Sequence, residues 1–321
     1  MFYRNITFYR FPSTWGTLLP SALDQDLATG LARFLGDCRL KPVAPLDMTS
    51  IGFIPPFGRT AEALTHHVVN ATWLTVGSEA KILPAAVLND LAAKKVEDIK
   101  ESTGQLTGGW ARKAIRDDLL RELLPKAFVR PGRTDAYIDH NHQFIAVDTP
   151  TRGRADTVVS EIRRAVGSFP ALPLNAEVAP RNILTGWLAG EEMPDRLVFG
   201  EECELKDPID GGAVVKLQNQ DLICDEITKH LESGKQVTRL ALNLDDHLSF
   251  VLGEDLVVRK LKFLDSATDA LDRGEPKDLA AELEARFVLQ VGEIRQLWKL
   301  LKESFRISDV NADGSEASRH G

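Results

Sequence analysis

The side chains able to do covalent or metal chemistry are few and scattered. Two close histidine groups occur, His66-His67 and His140-Asn141-His142, together with three acidic pairs, Asp117-Asp118, Glu201-Glu202 and Asp245-Asp246. Adjacent residues on a helix or strand point apart, so none of these pairs converges by itself on a metal ion or a reacting atom. Turn or surface positions are the expectation for the histidines, and solvated turns for the carboxylates. Three cysteines, Cys38, Cys203 and Cys224, are too few for a four-thiolate zinc site and odd in number for a disulfide framework, so reduced structural thiols are expected. The phosphate-binding GxxxxGK[ST] loop, the GxGxxG turn, the GxSxG elbow and the HExxH helix are all missing from the sequence. No catalytic residue, metal ligand or cofactor is assigned.

What the sequence does offer is electrostatic chemistry. Of 321 residues, 43% are hydrophobic and 27% charged, an ordinary globular composition, and the formal charge is −8. That sum excludes a chain coated in basic residues, but a phosphate backbone needs only a local strip of cations. Between residues 94 and 134, ten lysines and arginines stand against six carboxylates, a local +4 that leaves −12 for the rest. Arg112, Lys113 and Arg116 fall within about one helical turn. The alternative is a solvated pair of amphipathic helices with no such role. Trp73, Trp110, Trp187 and Trp298 are expected in or against the core.

The elements that must carry these residues read as α+β, with about two domains expected from length. Residues 5–11 alternate as a strand and residues 23–35 repeat as an amphipathic helix. Residues 71–84 read as two short strands around Gly77-Ser78. Residues 85–127 change period to a helical hairpin broken by the glycine-rich STGQLTGG, and 136–149 form a β-hairpin turning at His140-Asn141-His142. A helix over 154–169 and a proline-rich crossing at 169–180 follow. Strands are expected at DRLVFGEECELKD and GGAVVKLQNQD, then a helix closed by Gly234. The segment QVTRLALNLDDHLSFVLGEDLVVRKLKFLD predicts three strands joined at Asp245-Asp246 and Glu254-Asp255. FVLQVGEIRQLWKLLKESF predicts a strand running into an apolar helix, and residues 309–321 a disordered tail. No apolar run reaches the roughly 20 residues of a membrane helix, and FYRNITFYRF after Met1 lacks the apolar stretch of a signal peptide. A cytoplasmic protein without membrane contact is expected.

Several stretches taken together resemble the RdgC family of bacterial recombination-associated proteins: FYRNITFYR, IGFIPPFG before EALTH, EAKILP, LLPKAF, and QDLICDEITKHLESGKQVTRLAL followed by VRKLKF. The resemblance runs from residue 1 to about 305. It implies a horseshoe-shaped protomer, with a central α/β domain at 1–84 and 128–180, a helical tip at 85–127 and a base domain at 181–308. It also implies a homodimeric ring that encircles duplex DNA with little sequence preference, restricts the RecA recombinase and associates with the nucleoid. Phe128, ending LLPKAF, matches a family interface aromatic, with Lys126 beside it as a basic position. Lys216, Asn219 and Gln220 fall on a family DNA-approaching stretch, where Gln218 and Asn219 depart from its basic pattern. Lys235 and Arg239 match basic positions, and Arg112, Lys113 and Arg116 are assigned by neighbourhood. A metal-dependent DNA enzyme such as a nuclease, needing converging carboxylates and Mg²⁺, and a protein-interaction scaffold are the competing classes.

Overall fold

The β-formers at the start of the chain pair early and are fully buried: β1 (Thr7–Arg10) lies antiparallel to β6 (Phe144–Val147), with Thr7 opposite Val147 and Arg10 opposite Phe144. The computed structural model describes residues 2–15, 27–58, 60–104, 108–209, 212–272 and 278–311. By internal packing the chain divides into two units. One comprises Met1–Asp37, Pro55–Thr75 and Thr134–Gly321; the other comprises Cys38–Ile54 and Val76–Arg133. Described helices and two antiparallel sheets make the fold α+β, as the sequence predicts.

In the larger unit, β3 (Thr65–Val68) pairs with β4 (Ala71–Ile82), followed by β5 (Phe128–Asp139), β6, β1 and the short β7 (Leu172–Pro173). Helix α1 (Leu27–Asp37) realises the expected amphipathic segment, whose first residues lie outside the described ones. A second sheet has the order β12-β11-β10-β8-β9. It is built from β8 (Leu197–Lys206), β9 (Val214–Gln218), β10 (Gln236–Leu244), β11 (Leu248–Gly253) and β12 (Val258–Phe263). The two sheets are joined by a bridge in which Ile6 N–H donates to Val258 O at 2.8 Å and Val258 N–H returns to Ile6 O at 3.0 Å. The acidic turn at Asp245 and Asp246 has φ of 50° and 59°, a left-handed geometry that Asp tolerates, within the three-residue loop 245–247 that joins β10 to β11.

The smaller unit holds β2 (Thr49–Ile54), the later part of β4, the first part of β5, and between those strands α2 (Ala85–Thr103) and α3 (Gly109–Leu123). A 3-10 turn, Leu124–Lys126, leads from α3 into β5. Gly52 is required here because a β-carbon would stand 2.5 Å from Leu40 N and 2.6 Å from Leu40 Cα.

Four expectations change. Residues 71–84 form one long strand rather than two, because Gly77 is a close-approach residue: a β-carbon there would stand 2.8 Å from Ile54 Cγ2. β5 begins at Phe128, eight residues before the expected hairpin, and runs through Pro131-Gly132 where its residues are exposed. FVLQV is helical, within a 26-residue α8 (Leu279–Ser304). Its expected strand is overridden by the 3.6-residue spacing of Phe287, Val291, Ile294, Leu297, Trp298 and Leu301, all buried. Trp110 is not a core residue but 85% exposed. Helices α4 (Arg152–Val166) and α6 (Asp225–Glu232) fall where predicted, the latter followed by Gly234 at φ 89°. Helices α5 (Pro180–Leu188) and α7 (Asp265–Asp272) add to those the sequence predicts. From residue 312 the expected tail lies outside the described residues.

One core of the larger unit is built around α8. Trp298 of α8 packs 5.3 Å from Phe8 and 4.7 Å from Phe144, and Phe287 packs 5.2 Å from Trp73 and 5.7 Å from Tyr137. A polar seam joins two hairpin turns to this helix. Asp139, fully buried, accepts from Arg295 Nε at 2.6 Å and from the backbone N–H of Asn141 and His142. Thr72 Oγ1 lies 2.8 Å from both His67 Nδ1 and His140 Nε2. With one proton to give, the hydroxyl donates to one ring and accepts from the other. His140 is thus drawn inward, where the sequence places a surface histidine. Burial, reinforced by His67 and opposed by Asp139, lowers its pKa to about 4.

A neutral ring is therefore favoured in the folded chain, and between pH 6.5 and about 4 the unfolded chain binds more protons. The stability contribution is complete above pH 6.5 and is lost as the pH falls, with His140 accounting for at most on the order of 3 kcal/mol. His66, also lowered by burial and opposed by Glu284, acts in the same direction. Urea unfolding at pH 7 and pH 5 should show a larger loss for the wild type than for His140→Gln, and equal losses would remove His140 as the cause.

Candidate nucleic-acid interface

Two groups of cations emerge, one in each unit. In the smaller unit, Arg112, Lys113 and Arg116 are exposed on α3, a helix that buries only Leu119. Neither Lys113 nor Arg116 is held by a carboxylate among the described residues. Lys126, in the turn after α3, lies 3.6 Å from Glu122 in an exposed pair of little energetic weight. Phe128 starts β5 and is 84% exposed, next to Val129 at 43%. Helix α2 ends at Thr103 and α3 begins at Gly109, so Phe128 follows the far end of α3, a helix of 15 residues.

In the larger unit, the strand alternation sorts the second sheet into two faces. Leu240, Leu242, Leu244, Leu248, Phe250 and Leu252 point inward and are buried. The intervening residues form the open face, and register lines them up in rows across the strands. One row is Lys216, Glu204, Arg239 and Gly253; another is Asn243, Ser249 and Lys262. Lys216 and Arg239, 23 residues apart in sequence, thus converge on one carboxylate, at 3.3 Å and 3.6 Å from Glu204. Burial pushes the Glu204 carboxyl up, but the Thr238 hydroxyl and the two cations outweigh it and hold its pKa below the ordinary value.

Beside this row lies an open concavity of about 540 Å³ with a floor of small residues, Gly200, Ala241 and Ser249, and an edge of Gln218, Asn219, Lys260 and Lys262. Gly200 lies so close to the neighbouring strand that a β-carbon would stand 2.9 Å from Ala241 Cβ. Lys260 has φ 53°, a left-handed conformation unusual for lysine, in a strand whose pairing with β11 is irregular. Its ammonium reaches Glu202 at 2.6 Å. Of the remaining sequence candidates, Asn219, with φ 57°, and Gln220 follow β9, whereas Lys235 lies in the turn after α6 with its Nζ 3.0 Å from Ser233 Oγ.

The structure thus brings Lys216, Asn219 and Arg239 to one sheet face, and Arg112, Lys113 and Arg116 to one helix. Sequence reasoning missed Lys260 and Lys262. The signal was present in the alternation of VRKLKF, where Leu261 is buried and its two lysine neighbours point out.

Other groups are structural. The three cysteines are free, as expected, and burial raises the Cys203 thiol to about 12. Among the described residues, no three His, Cys, Asp or Glu side chains are grouped as metal ligands. No described helix is long and apolar enough to cross a membrane.

These features define an α+β protein with two exposed cation groups, one on a helical hairpin and one across an open sheet face. Residues 1–308 match the family model described as "Putative exonuclease, RdgC". The chain is 55% identical over 317 residues to the recombination-associated protein RdgC of Stenotrophomonas maltophilia (strain R551-3), covering 97% of this chain and all of that one. It is 56% identical over 313 residues to the protein of the same name from Xanthomonas campestris pv. campestris (strain B100), with the same coverage of each. A third relative of that name, from Xanthomonas axonopodis pv. citri (strain 306), is 56% identical over 314 residues, covering 96% of this chain and 99% of the relative. The chain belongs to the RdgC family of recombination-associated proteins.

Because Phe128 buries little of itself within the chain, Phe128→Ala should change the melting temperature by less than about 2 °C, as expected for an exposed position. A calorimetric drop of more than about 5 °C that does not vary with protein concentration would mean that the aromatic side chain supports the fold.

Proposed function

We propose that the protein is a non-enzymatic, sequence-tolerant duplex-DNA-binding protein that closes as a homodimeric ring around DNA and limits access of the RecA recombinase, in association with the nucleoid. The observation that carries DNA binding is the exposed set Arg112, Lys113 and Arg116 on α3, within the most basic window of an otherwise acidic chain. Such cations gain affinity by releasing counterions from phosphates and need no contact to base edges. Lys216, Arg239, Lys260 and Lys262, with the amides of Gln218 and Asn219, offer a second set of phosphate donors on the open sheet face. Dimerisation is supported by Phe128 and Val129, adjacent apolar side chains left exposed. An aromatic of this kind anchors interfaces effectively.

The second reading is the exonuclease in the family model's description. Against it, several carboxylates are already engaged by cations: Glu204 by Lys216 and Arg239, Asp255 by Arg259, Asp139 by Arg295 and Asp245 by Arg196. Labelled linear duplex incubated with the protein in Mg²⁺ separates the readings. Retarded, intact DNA is expected; shortening of the strands would establish the enzyme.

Replacing Arg112, Lys113 and Arg116 together by Gln should weaken duplex binding and leave melting unchanged. The dependence of log affinity on log salt should flatten by roughly one unit for each phosphate no longer neutralised. Unaltered affinity at two salt concentrations would place the DNA surface elsewhere. On the sheet face the sign reverses. Glu204 holds two cations that a phosphate would otherwise compete for, so Glu204→Gln should tighten duplex binding several-fold and steepen the salt slope by about one to two units. Weaker binding by this variant would show that the carboxylate positions the cations rather than masking them.

A further inference from the structure

Away from the two groups of cations, a cavity of about 360 Å³ carries the opposite charge. It lies where α5, the loop after it and the end of α8 meet, and is lined by Trp187, Glu192, Met193, Pro194, Asp195 and Ser304. The loop that walls it is pinned at both ends. Gly190 N–H donates to Trp187 O at 3.1 Å, Glu191 N–H to Gly186 O at 2.8 Å, and Leu197 N–H to Pro194 O at 2.9 Å. Gly190, at φ 96°, makes the turn that starts this loop. The cavity is therefore formed before any ligand enters, as binding sites usually are.

Its lining holds unused hydrogen-bonding and charge capacity. Trp187 is 6% exposed and packs its ring 5.6 Å from Phe305. Among the described residues no acceptor takes its Nε1–H, whereas Trp15 donates to Ser168 O at 2.9 Å and Trp73 to Asp135 Oδ1 at 3.1 Å. A tryptophan buried this deeply ordinarily gives that proton to a partner. The nitrogen is not sealed in the core, so the donor is available at the cavity that the ring lines. Glu192 and Asp195 are exposed, and no cation among the described residues holds either. The cations nearest in sequence are committed elsewhere, Arg196 to Asp245 and Lys302 to Asp309. The end of α8 at Ser304 adds the partial negative charge of a helix C-terminus.

An indole donor beside two free carboxylates calls for an acceptor and a cation together. Nucleic acid brings acceptors but also negative charge, which Glu192 and Asp195 repel. A free ammonium or guanidinium ion brings charge and no acceptor. A peptide with lysine or arginine brings both: a backbone carbonyl for the indole N–H, a cation for the carboxylates, and an aliphatic stem to lie against Met193 and Pro194. We propose that this cavity is a docking site for an arginine- or lysine-bearing peptide segment of another protein. The inference goes beyond the DNA-binding reading and does not depend on it.

An array of random octapeptides with arginine fixed at the fourth position, and the same array with neutral citrulline there, tests it with the full-length protein. A subset of the arginine peptides should bind, and their citrulline counterparts should not. For the best of them, Glu192→Gln with Asp195→Asn should weaken binding by roughly 5- to 30-fold, the range for two partly exposed charge contacts, with melting unchanged. Trp187→Phe, which keeps a ring and removes the donor, should cost roughly 2- to 10-fold. With ¹⁵N-labelled tryptophan, the indole N–H signal missing from the Trp187→Phe spectrum should be the one that moves when the peptide is added to wild type.

The absence of any arginine-dependent binding would overturn the proposal, as would a peptide that binds the double carboxylate variant as tightly as wild type or leaves the Trp187 signal in place. Full displacement of the peptide by an equal concentration of argininamide would make the cavity a small-cation site instead. A Trp187 signal that shifts with protein concentration alone would assign it to a second copy of the chain; either result removes the peptide partner.

Discussion

The open face of the second sheet exists because its other face is committed. Leu240, Leu242, Leu244, Leu248, Phe250 and Leu252 share one core with Val291, Ile294, Leu297 and Leu301 of α8. Each such side chain gains about 1.5–3 kcal/mol from burial. A strand has a side-chain period of two, so a one-residue slip would exchange the faces entirely. That penalty fixes the register, and the register sets Lys216, Glu204 and Arg239 in one row. The same helix also packs Trp298 against β1 and β6, so both sheets of the larger unit depend on one apolar element.

The helical hairpin of the smaller unit obeys a different balance. Helix α2 buries only Leu88 over 19 residues and α3 only Leu119 over 15. Helices this poorly anchored gain little from tertiary packing, and their side chains are left to face solvent. Exposure is what makes Arg112, Lys113, Arg116 and Trp110 accessible to a partner. Much of the charge on the sheet face, by contrast, is already paired: Glu204 and Glu202 hold Lys216, Arg239 and Lys260. Lys113 and Arg116 on α3 are engaged by no carboxylate among the described residues, whereas Lys216, Arg239 and Lys260 on the sheet are.

Within the larger unit, the seam around Asp139 shows how polar groups can be buried without remaining unsatisfied. The carboxylate is fully enclosed, yet accepts from Arg295, Asn141 and His142. Breaking a buried pair by removing one partner is costly because the survivor is left charged and unpaired. The seam therefore fixes the hairpin turn at residues 140–143 to α8, and the His67–Thr72–His140 bridge ties the preceding hairpin to the same place.

Much of this was legible in the sequence. Alternation marked β1 and the three strands β10 to β12, the change of period marked α2 and α3, and the pattern of charge singled out α3, because each depends on neighbours close along the chain. Resemblance to the family followed from short motifs in order. What the sequence left open depends on approach in space. Gly77 looked like a turn but fits a strand whose neighbour comes too close for a side chain. FVLQV has β-forming residues, and only packing against the core makes it helix. Trp110 has the residue type of a core aromatic, yet no described element covers it, and His140 has the sequence setting of an exposed turn, yet Thr72 and His67 meet it. The convergence of Lys216 and Arg239 on Glu204 required three strands in register, and that is set by which face of the sheet is buried, a property of the assembled core that no single strand contains.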